Sequence, residues 1–91
     1  MAIRITAVHI AASAEPDDIA EVEWVSIEHR NEGCSTRDAI VEWLESSAAN
    51  VAVVGRGMKA TPVQVVREND RVVLRAVINS SPNRLLELPR Y

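Results

Sequence analysis

Phenylalanine is absent from this chain, and Trp24, Trp43 and Tyr91 are its only aromatic residues. Proteins that hold single-stranded nucleic acid stack bases on aromatic faces, and a sheet with so few rings is poorly equipped for that work. Cysteine occurs once, as Cys34, so an internal disulfide is impossible. A lone thiol fits a reducing compartment, which for a bacterial protein means the cytoplasm. No apolar run approaches the ~20 residues that a membrane-spanning helix needs, so no membrane association is expected. Arg4, the run Ile5–Ala12 and Ala12-Ser13-Ala14 imitate a short secretion signal. Thr6 and His9 interrupt that run, and its alternation is that of a strand. Glycine is scarce too. Gly55-Arg56-Gly57 stands between strand-like flanks and reads as a hairpin turn, not as the longer glycine pattern of a phosphate loop.

What remains is aliphatic. Hydrophobic residues make up 47% of the chain, enough for a globular core, and many are β-branched, which favours strands. Ninety-one residues make one domain, residues 1–91. The net charge is −3, unevenly spread: residues 1–49 carry three arginines against ten acids, residues 50–91 seven basic residues against three acids. Acidic strands beside basic strands in one sheet would explain this division, and so would a polarised surface that steers a partner or a second copy.

The alternation of Ile3–Ile10 predicts a first strand, with Ile3, Ile5, Ala7 and His9 on one face. Ala11–Asp18 reads as a loop around Pro16. In Ile19–Ile27, Ala20, Val22 and Trp24 alternate with Glu21 and Glu23 as a second strand. Glu28–Gly33 reads as a polar connection. Ser35-Thr36-Arg37-Asp38 matches a capping box, with Ser35 as the cap. The helix that follows bears Ala39, Ile40, Trp43 and Leu44 on one stripe and ends at Ser46–Asn50. Three more strands are predicted: Val51–Val54, Thr61–Glu68, and Val72–Ile78 after a turn at Glu68–Arg71. Asn79–Asn83 reads as a loop.

The expected fold class is therefore α+β: a mostly antiparallel five-stranded sheet in the order β-β-α-β-β-β, with one covering helix and a C-terminal apolar tail or short helical turn. One helix covers one face of such a sheet. The other face is left to solvent, to the tail, or to a second subunit.

Chemistry-bearing residues are few. Cys34 lies beside the helix start, where a thiolate gains nucleophilicity, but no local motif sets His9 or His29 beside it as a base. His29 and Cys34 lack the second ligand pair of a structural zinc site. Glu21 with Glu23, and Glu42 with Glu45, fall on solvated faces, whereas acid–base work needs a desolvated carboxyl. No catalytic residue, cofactor or metal is expected, and the chain is not read as an enzyme. Arg67, Arg71 and Arg75 are the contacts available to the alternative, nucleic-acid binding; the net negative charge and the missing aromatics argue against it.

The last nine residues, Asn83-Arg84-Leu85-Leu86-Glu87-Leu88-Pro89-Arg90-Tyr91, are unusually apolar for a terminal segment. Leaving Leu85, Leu86 and Leu88 in water forgoes roughly 1.5–3 kcal/mol each, so the segment is expected to be tied down, in cis or in trans. Trp24, Trp43, Leu85, Leu86, Leu88 and Tyr91 are the candidate core or interface anchors.

Several stretches, taken in order, resemble an uncharacterised family of small bacterial and bacteriophage proteins. They are Ile5-Thr6-Ala7-Val8, Val22-Glu23-Trp24, Ser35-Thr36 leading to Val41-Glu42-Trp43-Leu44-Glu45, and the final Asn83–Tyr91 motif. The family has no established activity. The resemblance implies a compact cytoplasmic accessory protein, phage- or prophage-encoded and acting in the host cytoplasm. With the open sheet and the apolar tail, it leads to a non-catalytic protein-interaction module. Its expected partner is a host protein, a second copy of itself in a homo-oligomer such as a dimer, or both.

Overall fold

A computed structural model describes residues 1–11, 19–68, 71–77 and 83–91; most of the loop read at Ala11–Asp18, the centre of the turn at Glu68–Arg71 and the loop before Asn83 lie outside them. The elements are β1 (Ala2–Ile10), β2 (Ile19–Ser26), β3 (Glu32–Thr36), α1 (Arg37–Ser46), β4 (Val51–Val54), β5 (Thr61–Pro62), β6 (Gln64–Glu68) and β7 (Arg71–Arg75). Five strands form one sheet in the order β3-β2-β1-β4-β5, and β6-β7 form a separate hairpin. Every pairing is antiparallel except β1 with β4. The α+β class with one helix and a mostly antiparallel five-stranded sheet is thus found, although the strands that build it differ from those expected.

Two short edge strands account for the difference. Glu32–Thr36, read partly as connection and partly as helix cap, is β3; it has a neighbour on one side only and stays half exposed, so its sequence carries no apolar alternation. The single strand expected over Thr61–Glu68 is broken at Val63, which is buried in the core and donates its N–H to Ala52 O at 2.8 Å. The chain leaves the main sheet there, and β6 pairs with β7 instead. Acidic and basic strands therefore do not alternate in one sheet. An acid–base contact between the two halves of the chain runs from the hairpin to the helix, where Arg67 Nη2 donates to both carboxylate oxygens of Glu45 at 2.6 and 2.7 Å.

The strand register contains a second departure. Ile5 pairs with Trp24 and Ala7 with Glu23, so Thr6 is an extra residue in β1. Such a bulge reverses the alternation beyond it. Ile3, Ile5 and Val8 consequently share the inner face, all at most 2% exposed, and His9 is turned to the opposite side. The inner face is closed by α1 through Ile40 and Val41, by Val63 and Leu74 near the hairpin, and by Leu85 of the tail.

The helix begins one residue later than the capping box predicts. Thr36 is the cap, its Oγ1 accepting from Ala39 N at 3.1 Å. Ser35 is still in β3, and its Oγ accepts the indole N–H of Trp24 at 3.0 Å. A half-buried indole needs an acceptor, and β3 supplies one. Val41 takes the buried position expected of Ala39, while Trp43 and Leu44 pack at the margin of the core. At the other end Asn50 Nδ2 donates to Trp43 O at 2.9 Å, which satisfies a helix-terminal carbonyl.

Candidate interaction surface

The tail is docked in cis. Asn83 opens a short 3-10 turn over Arg84–Glu87, its Oδ1 accepting from Leu85 N and from Ala76 N, and its Nδ2 donating to Leu74 O. Leu85 is fully buried, and Leu86 and Leu88 pack half-buried against the same core. The chain then runs parallel to β1: Val8 N donates to Pro89 O at 2.9 Å and Tyr91 N to Val8 O at 3.2 Å. Of the six anchors read from the sequence, Leu85 belongs to the core outright. Trp24 and Trp43 are half-buried and line one cavity of about 190 Å³ with Met1 and Ala39.

With α1, the hairpin and the leucines all on one side, the described elements leave the opposite face of the sheet open except where the Tyr91 side chain lies across one end. Register fixes its composition, because residues paired across adjacent strands point to the same side. At one end lie Ala2, its neighbour Val51 and the adjoining Ile27, whose N–H donates to Ala2 O at 3.0 Å. The next row is Glu32, Val25, Arg4 and Val53, one residue from each of four adjacent strands. Ile27 is 45% and Val51 41% exposed, with Val25 and Val53 half-buried beside them. Arg4 Nε donates to Gly55 O at 3.3 Å, which ties that side chain to the end of β4. Solvated faces of antiparallel sheets are ordinarily polar, so aliphatic residues in consecutive rows are the departure that marks this surface. Its aliphatic residues were not singled out from the sequence. The signal that could have found them is the odd-numbered set Val25, Ile27, Val51 and Val53, but its placement depends on which strands pair.

The other end of the same face is polar. It carries Glu23, Cys34, Glu21 and His9 in register, and Tyr91 reaches across them. Cys34 Sγ lies 3.1 Å from Tyr91 Oη and 3.7 Å from Glu21 Oε2. His9 Nδ1 meets the backbone oxygen of Tyr91, and the two rings are 5.6 Å apart. The His9 contact thus goes to the tail backbone and not to the thiol. Partial desolvation, the Cys34 contact and the charges of Cys34, Glu21 and Glu23 push the Tyr91 hydroxyl above its ordinary range. Among the described residues no cluster of three metal-ligating side chains occurs, and no helix is long and apolar enough to cross a membrane.

The basic residues do not share a face. Arg67 stands opposite Val72 in the hairpin, while Arg71 and Arg75 stand opposite Glu68 and Gln64 on the other side. No family model matches the chain, and neither a curated protein nor a solved structure is significantly similar to it.

Proposed function

We propose that this protein is a non-catalytic protein-interaction module that docks its partner on the uncovered face of the five-stranded sheet. The observation that carries this reading is the aliphatic end of that face, where Ile27, Val25, Val51 and Val53 remain in contact with solvent. Contiguous exposed apolar surface on a small domain is characteristic of interaction sites. The sheet is also stiffened from behind by a core that includes the tail, so the surface is preformed and ordering it costs little on binding. The resemblance to small bacteriophage proteins and the single exposed thiol support a place in the bacterial cytoplasm, as an accessory protein that binds a host protein or itself. Nucleic-acid binding draws less support, since Arg67 lies on the opposite side of the hairpin from Arg71 and Arg75.

The test is site-specific photo-crosslinking in bacterial cells. A photoreactive residue at Ile27 or Val51 should yield discrete protein adducts, and the same residue at the fully exposed Met58 should not. Equal labelling at all three positions, or none, contradicts the proposal.

A further inference from the structure

The docking face carries a charge pattern that identifies one occupant. Arg4 on β1 and Glu32 on β3 both flank Val25 of β2 in a single cross-strand row. A two-fold axis running along β2 through Val25 exchanges the positions of β1 and β3. It brings Arg4 of each copy over Glu32 of the other, twice, with Val25 and Ile27 of both copies stacked near the axis. An axis through β1 would instead set Arg4 on Arg4. Two-fold interfaces require a surface that is complementary to itself, and this row meets that requirement about one line.

Resting on the docking reading above, we infer that the partner is a second copy of this chain, packed face to face with its two-fold axis along β2. The row next to Val25 carries Glu23, which an axis along β2 sets over its own copy; this like-charge contact opposes the two Arg4–Glu32 contacts and weakens the pairing. Only β1, β2 and β3 overlap fully in this arrangement. The contact is therefore smaller than the ~800 Å² per partner of a standard interface, and association is weak, roughly micromolar or weaker.

Sedimentation equilibrium on the intact chain tests this. The native protein should show a reversible monomer–dimer equilibrium. Arg4→Glu places Glu over Glu and Glu32→Arg places Arg over Arg, so either variant alone should weaken self-association roughly tenfold or more. Mixing the two variants restores opposite charges at both contacts, and the mixture should dimerise about as tightly as the native protein. Melting curves check that both variants fold; if Arg4→Glu does not, Glu32→Arg is compared with Glu32→Gln, and the reversed charge should weaken association more than the neutral one. A native chain that is monomeric up to ~1 mM, a concentration far above typical weak-complex dissociation constants, overturns the inference, and so does a dimer indifferent to these charges. Adducts from Ile27 to another protein alongside a monomeric native chain would leave the docking reading standing and remove the second copy as its partner.

Discussion

The hydroxyl of Tyr91 lies 3.1 Å from the thiol of Cys34, a contact that joins residues 57 positions apart. The Tyr91 backbone is paired with Val8 of β1, so the phenol crosses β2 to reach β3. Partial desolvation, the thiol and the nearby Glu21 and Glu23 carboxylates all favour the protonated phenol. Tyr91 is the only tyrosine, so an alkaline absorbance titration reports it alone. Its midpoint should lie above that of a free tyrosine, about 10, and Cys34→Ala should lower it. Because folding raises this pKa, the associated stability is fully present below about pH 10 and is lost as pH rises through the folded value.

Gly33 is set by Trp24. A Cβ at position 33 would stand 2.6 Å from Trp24 Cζ2, so the indole must move before any side chain fits. Gly33→Ala should cost about 1–3 kcal/mol in urea denaturation. It should also shift tryptophan emission to the red as Trp24 loses its seat and its bond to Ser35.

Asn83 joins the tail to the end of β7 by two hydrogen bonds, to Ala76 and Leu74, and caps the tail's own turn with a third, to Leu85. Asn83→Ala removes them all and leaves half-buried backbone groups unpaired, a loss of about 2–3 kcal/mol. Leu85→Ala, which empties a fully buried site, should cost about 2–5 kcal/mol. Denaturant midpoints measure both, and a negligible change in the pair would mean that the tail is not part of the folding unit.

Arg30 holds φ at 58° in the turn between β2 and β3, a conformation that costs a non-glycine residue about 1 kcal/mol. Arg30→Gly should stabilise the protein by about 0.5–1 kcal/mol, or leave it unchanged where the added freedom of the unfolded chain offsets the relief. A drop in melting temperature would contradict this account of the turn.

Local pattern made part of this fold legible. β1, β2, the helix and the turn at Arg84–Glu87 all follow from apolar periodicity and capping residues in short windows. The edge strand β3 did not, because a strand with one neighbour need not alternate. The bulge at Thr6 left no trace either, although it decides that Val8 and not His9 enters the core. The burial of the tail leucines could be inferred from their cost in water; its site, between β1 and the hairpin, required long-range pairing. The docking face lay furthest from view. Ile27, Val25, Val51 and Val53 come from segments that meet only through β1, and the Arg4–Val25–Glu32 row exists only once two independent registers are set.

The division of the sheet into a face closed by the chain's own tail and a face left open underlies the whole account. Methyl relaxation by a soluble paramagnetic chelate measures that division directly. In dilute solution the methyl groups of Ile27 and Val51 should relax strongly, while those of Ile5, Val8 and Leu85 stay protected; raising the protein concentration should then shield Ile27. Leu85 relaxing as fast as Ile27 would contradict the account.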